Sequence, residues 1–335
     1  MQVKSLSPAS VKTADVAVAA GPGAASPTVA RHLRDSSLNR ALDVLGDWWT
    51  QRILRESFLG VRQFDVFQRH LGIPRQTLSV RLRSLVDDAI LDSTAEGYRL
   101  TKKGLALYPW ALMIWRWSSH WGGGLGPRHP ARLVHADCGH ATLPVFACAA
   151  CRKEVGLRDV DYIDGPRPRS RAAGTERPAR RWTGDRFVMD SGDAGHNIAF
   201  LTADRWTHLI LSAAYLGCRS FDVMQREIGI ATNILAQRLG LLVDAGFFVK
   251  TRSSADARRF DYRLTPRSRA AFPLTITLVQ WADRWLGPRR TPSMTRIHRA
   301  CGQPLQAIVA CSHCHQELLP RRVSYSTLKD VSTEP

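Results

Sequence analysis

Apolar positions recur along this chain at helical spacing, broken by glycines and by two short alternating runs. Leu42, Leu45, Trp49, Ile53 and Leu54 fall on one helix face, and Gly60 ends the pattern. A shorter helix follows, because Phe64, Phe67 and Leu71 recur three and four residues apart. Gly72 closes it, and Pro74 opens the next helix in a first turn, where its missing N–H costs nothing. There Leu78, Leu82, Leu85 and Val86 form one apolar stripe, which turns Gln76, Val80 and Arg83 outward. Residues 90–93 and 97–101 read as a two-stranded wing around a glycine-containing turn. Residues 105–121 predict a long Trp-rich helix. Its apolar run is about half of the ~20 residues that cross a bilayer and meets Arg116 at once, so no membrane span is expected.

The pattern occurs twice. Residues 50–87 align without gaps on 207–244, and 19 of those 38 positions are identical, among them Phe64-Asp65-Val66 with Phe221-Asp222-Val223 and Leu85-Val86-Asp87 with Leu242-Val243-Asp244. Farther on the offset grows from 157 to 164, matching Tyr98-Arg99-Leu100-Thr101 to Tyr262-Arg263-Leu264-Thr265, and Trp117 and Trp121 to Trp281 and Trp285. At an offset of 163, His135, Cys138, Cys148 and Cys151 match His298, Cys301, Cys311 and Cys314. The duplicated unit is therefore about half the chain.

The helix order, the outward polar face and the wing describe a winged helix-turn-helix, whose second helix enters the major groove while the wing lies along the backbone. Trp49-Thr50, Ile53-Leu54-Arg55, Gly60, Phe64, Leu78-Ser79, Arg81-Leu82 and Leu85, then Tyr98, Leu100-Thr101 and Gly104, carry a resemblance to the HxlR-type transcriptional regulators. The second copy is similar but departs from the pattern where Ala236 replaces Ser79 and Ser268 replaces Gly104. The expected fold is mainly α with small β wings: two tandem winged helix-turn-helix domains, each followed by a small, zinc-ribbon-like Cys/His extension. What the resemblance implies is a sequence-specific DNA-binding transcriptional regulator, a repressor by expectation, from a family that acts as a homodimer on a two-half-site operator. This chain carries both halves, so its copies can pair within one molecule as a pseudo-dimer. The terminal helices bearing Trp110, Trp115 and Trp117 against Trp281 are then the interface, or those rings simply fill each copy's own core.

With the resemblance in hand, Arg75, Gln76, Thr77, Ser79, Arg81 and Arg83 are the candidate DNA contacts of the first copy. Gln and Arg can bond base edges in pairs, and Ser and Thr can bond phosphates. Among the equivalent positions of the second copy the candidates are Thr232, Asn233, Gln237 and Arg238, beside Ile234, Ala236 and Gly240; its longer wing adds Arg252, Arg258 and Arg259 for the DNA backbone or minor groove. The buried stripe is the same in both copies, whereas nearly every outward position differs. The operator is therefore expected to have unlike half-sites.

Each cysteine cluster, His135-x2-Cys138-x9-Cys148-x2-Cys151 and His298-x2-Cys301-x9-Cys311-x2-Cys314, offers three thiolates and one imidazole, enough to close a tetrahedral structural zinc site. His140, His313 and His315 are rival ligands, but only His135 and His298 hold matching positions. A redox dithiol at the C-x2-C pairs is the competing reading. Cys218 reads as a buried apolar residue.

Charge adds a direction to this picture. Lys and Arg total 47 against 29 Asp and Glu, a net +18 that favours a polyanionic partner. The expected partner is a double-stranded DNA operator; further self-association and a small-molecule or redox inducer stay open. With no secretory leader in evidence, the expected location is cytoplasmic and nucleoid-associated. No G-x-S-x-G, P-loop or dinucleotide-binding glycine pattern is present, so no catalytic residue is expected. The competing functional class is a protein-interaction or nonspecific nucleic-acid-binding adaptor. The expected boundaries are a flexible segment at 1–35, the first copy at 36–125, its extension at 130–162, a basic Pro/Arg linker at 163–195, the second copy at 196–287, its extension at 293–326, and a tail at 327–335.

Overall fold

A computed structural model of the chain describes residues 33, 36–122, 130–164, 201–254, 256, 258–287 and 294–327. The expected N-terminal segment, linker and tail lie, but for a few residues, outside that set.

The first copy begins with α1 (Ser37–Leu45) and α2 (Trp48–Phe58). Each has a side-chain cap: Ser36 accepts from the Asn39 N–H, and Asp47 from the Thr50 N–H. Next come α3 (Phe64–Leu71), which Gly72 ends in the left-handed conformation, and α4 (Arg75–Asp87). Pro74 stands one residue earlier than expected, as the N-cap of α4. The wing is β1 (Leu91–Thr94) paired antiparallel with β2 (Gly97–Leu100). Its turn demands glycine at 97, where φ is +107° and a Cβ would meet the Arg62 carbonyl oxygen at 2.4 Å. This close approach lets the Tyr98 N–H donate to Arg62 O at 2.9 Å and dock the wing on the turn between α2 and α3.

The single helix expected over 105–121 is two helices, a short α5 (Lys102–Leu105) and α6 (Tyr108–Trp121). Pro109 explains the break, since proline fits a first helical turn but not an interior. The second copy repeats the order as α7 (Arg205–Tyr215), α8 (Phe221–Ile228), α9 (Thr232–Asp244), β7 (Phe248–Arg252), β8 (Phe260–Leu264), α10 (Pro266–Ala270) and α11 (Phe272–Trp285). In both copies the leucines of the stripe are buried, Leu78, Leu82 and Leu85 in α4 and Leu235, Leu239 and Leu242 in α9, while Val86 and Val243 at its edge are half-buried.

The copies share one core. α1 packs along α11, and α6 packs against α11. The contact is reciprocal: the Trp117 indole N–H donates to Arg267 O at 3.1 Å, and the Trp281 indole N–H to Lys103 O at 3.0 Å. Arg267 also lies over the Trp117 ring, and Lys103 over the Trp281 ring. Trp117 and Trp281 thus reach across the joint, while Trp115 bonds Pro130 O beside its own helix.

The extensions interlock. β3 (Pro130–His135), β4 (His140–Ala141), β5 (Pro144–Cys148) and β6 (Val160–Asp164) follow the first copy; β9 (Met294–His298), β10 (Gln303–Pro304), β11 (Ala307–Cys311) and β12 (Val323–Thr327) follow the second. The sheets run β12-β3-β4 and β10-β9-β6, and β5 pairs with β11. Each extension therefore gives its last strand to the other, and the two form one unit.

Candidate nucleic-acid interface and metal centres

The outward face of α4 carries Arg75, Gln76, Val80 and Arg83, all exposed, with Thr77 and Ser79 partly so. Arg75 lies over the Phe64 ring at 4.9 Å, and its guanidinium is 3.8 Å from the Asp65 carboxylate. Val80, 48% exposed, is a large apolar group standing in water in the middle of a polar face. On α9 the exposed residues are Thr232, Asn233, Ala236, Gln237, Gly240 and, at its end, Asp244, and Gln225 Nε2 donates to Thr232 Oγ1. The second wing presents Arg252, Arg258 and Arg259, the last paired with Asp222 at 2.9 Å. Lys250 and Arg252 both lie over the exposed Phe260 ring; Arg252 was expected from the sequence and Lys250 was not.

Two expected DNA contacts face inward. Arg238 is 5% exposed and its Nε donates to Asp204 Oδ2 at 2.8 Å. Asp204 caps α7 through the Thr207 N–H, so one carboxylate ties the start of α7 to the middle of α9. Arg81 repeats this in the first copy, bonding Asp47, the cap of α2. A charge this far from water is held by its partner and is not offered to phosphate.

The eight candidate Cys and His ligands also group differently from expectation. His135 and Cys138 meet Cys311 and Cys314, while Cys148 and Cys151 meet His298 and Cys301. The pairing crosses between extensions because β5 runs antiparallel to β11 and brings each C-x2-C turn beside the other extension's H-x2-C turn. Both kinds of turn have a left-handed residue, Gly139 and Gly302 in one and Arg152 and His315 in the other. The backbone folds back accordingly: Gly139 N–H donates to His135 O, and Arg152 N–H to Cys148 O.

The donor spacing fits a tetrahedral ion. Sulfurs bound at ~2.3 Å would stand ~3.8 Å apart; Cys138 and Cys311 are separated by 3.8 Å, and Cys148 and Cys301 by 3.9 Å. His135 Nδ1 lies 3.2 Å from Cys314 Sγ, and His298 Nδ1 3.3 Å from Cys151 Sγ. Asp137 stands 3.3 Å from His135 Nε2, close enough for charge pairing but outside hydrogen-bond geometry. Burial works against the Cys311 thiolate, but hydrogen bonds from Thr142 and from the Cys314 and His313 backbone outweigh it and lower the thiol to about 6. His140 and His313, rival ligands by sequence, stack on each other outside the first group at 3.5 Å between ring centroids. Cys218 is buried, and burial raises its thiol to about 11.

The sequence profile described as HxlR-like helix-turn-helix matches residues 44–124 and 201–290, the two helical copies. The chain belongs to that family. Relatives within the range of this HxlR-like protein include uncharacterized HTH-type transcriptional regulators of Mycobacterium bovis and Mycobacterium tuberculosis. Each is 36% identical over 124 residues, 37% of this chain and 78% of the relative. A crystal structure of a candidate transcription factor is 27% identical, covering 42% of this chain and 98% of its own, with a TM-score of 0.37. A candidate transcription factor from Pseudomonas aeruginosa is 30% identical, covering 30% of this chain and 68% of its own, with a TM-score of 0.25. Among the described residues no helix is long and apolar enough to cross a membrane.

Proposed function

We propose that this HxlR-like chain is a sequence-specific DNA-binding transcriptional regulator, acting as a repressor through two covalently linked reading heads. The observation that carries the reading is the outward face of α4. Arg75, Gln76, Val80 and Arg83 project from a helix whose opposite stripe is fully buried, the arrangement that places side chains on base edges in a major groove. Gln76 and Arg83 have base-edge chemistry, and Val80 suits a thymine methyl group. In the second copy the α9 face is neutral, and Arg252, Arg258 and Arg259 on the wing supply backbone contacts. The reciprocal Trp117 and Trp281 contacts support a pseudo-dimer within one chain.

The two crossed groups hold structural zinc, two ions per chain. All four positions are filled by protein, which leaves no site for a reacting water, and each ion would tie both extensions together.

Selection of bound duplexes from a random pool at about 150 mM salt tests the DNA reading, because purely electrostatic binding is already weakened there. A discrete enriched motif is expected. Uniform binding without a motif would replace this reading with that of a nonspecific adaptor.

A further inference from the structure

The two copies differ at one place behind the DNA-facing surface, and the difference leaves a cavity. Between α1, α7, α11, β6 and β9 lies about 590 Å³ of space, counted out to its mouth on solvent. Of this, about 60 Å³ is the water-accessible interior, and the rest is the open mouth and the gaps between atoms. Its walls are mostly apolar, with Leu216, Ile276, Val279 and Met294 beside Tyr215 and Phe272, whose rings meet edge-on at 5.5 Å.

The equivalent place in the first copy is filled. Val279 corresponds to Trp115, which is buried and whose indole N–H donates to Pro130 O at 2.7 Å. Ser212 corresponds to Arg55, so a second wall residue is also smaller in the second copy. Tyr162 corresponds to Tyr325, whose hydroxyl donates to Leu59 O at 2.9 Å. Leu216, the counterpart of Leu59, lines the cavity with Tyr162, yet among the described residues the Tyr162 hydroxyl has no hydrogen-bond partner. Burial pushes that hydroxyl up to about 12, so it stays a neutral phenol able to donate.

The remaining polar groups are already paired. Arg296, opposite Tyr162 in the β6–β9 register, is 3.6 Å from Asp283, and Ser37 Oγ donates to the same carboxylate. Cation and carboxylate cancel, so net charge does not select the occupant. What is left is a greasy, ring-lined space with one hydroxyl, that of Tyr162, that bonds no other described residue.

We propose that this cavity is a binding site for a small uncharged aromatic molecule with one hydrogen-bonding group, about the size of the indole ring that Val279 lacks relative to Trp115. Its walls come from both halves: α1 from the first copy, α7 and α11 from the second, and one strand from each extension. An occupant therefore bears on the joint that sets the two reading heads relative to each other. The binding itself does not depend on the DNA reading, because it is measured on the protein alone.

Indole is the probe. Titration calorimetry of the full chain is expected to show saturable binding of one indole, and thermal unfolding to shift upward with indole concentration. Val279→Trp puts in the second copy the ring that the first already has, and should weaken indole binding at least tenfold. Tyr162→Phe should weaken it about fivefold, the loss of one neutral hydrogen bond. Val279→Phe serves as a smaller plug should the tryptophan variant fail to fold. Absence of saturable binding to the unmodified chain, or equal binding to the plugged variants, would overturn the proposal.

Discussion

Arg81 and Arg238 show how a single residue type can carry opposite meanings on one helix. Both sit three residues after the first leucine of the buried stripe, on its flank, and both bond the aspartate that caps α2 or α7. A sign of this was present in the sequence: while the outward positions changed between copies, this arginine and its aspartate, Asp47 or Asp204, did not. The copies differ in depth, the Arg238–Asp204 side chains being 6% and 2% exposed and the Arg81–Asp47 pair 20% and 18%. Arg238→Ala should therefore cost about 3–5 kcal/mol, leaving a buried carboxylate without its cation, and Arg81→Ala only about 1–2 kcal/mol. Urea unfolding of the two variants checks this, and equal losses would contradict it.

His208 supplies a second residue-scale prediction. It is buried with Nε2 3.2 Å from Thr275 Oγ1, and burial lowers its pKa from 6.5 to about 4. The folded protein thus holds it neutral while the unfolded chain takes up a proton below about 6.5. Stability from this group is complete above pH 6.5 and is lost as pH falls toward 4, by about 3 kcal/mol in all. His208→Gln, which installs the residue of the first copy at Gln51, should flatten the stability profile between pH 6.5 and 4. A slope unchanged by the substitution would assign it to other groups.

At the scale of elements, the helices and wings were legible because glycine, proline and the apolar spacing act locally. Two boundaries were missed: the helix read through Leu42 to Leu54 is broken between α1 and α2, where Gly46 caps one helix and Asp47 starts the next, and the break between α5 and α6 comes from Pro109 acting within its own turn. Strand exchange was not legible, since Cys138 meets Cys311 across 173 residues and spacing along the chain favours the nearer cysteines. The crossed arrangement has a consequence for metal content that local sites would not have. Replacing Cys138 and Cys314 with Ser should empty one site and leave one ion per chain, because both belong to the same crossed group. Replacing Cys138 and Cys148 should leave neither site with its full ligand set, although those two cysteines lie in one extension. Elemental analysis after dialysis distinguishes the cases; the reverse pattern would restore local sites.

The whole molecule combines reciprocal contacts between the copies with two unlike outward helix faces. Reciprocal indole contacts and a shared core keep the copies in one relation. Yet α4 presents Arg75, Gln76, Val80 and Arg83, while α9 presents Thr232, Asn233, Gln237 and Gly240. A symmetric dimer would present the same side chains to both half-sites and require a palindrome. Here Gln76→Ala should relax base preference in one half-site only, at about 1–3 kcal/mol of discrimination. Arg258→Ala, on the exposed second wing, should lower affinity for every sequence and reduce the salt slope by about 1. Binding-site selection repeated with each variant reads both effects. If Gln76→Ala changed both half-sites alike, the operator would be read by first copies from two chains, and the second copy would be a scaffold for pairing and not a reading head.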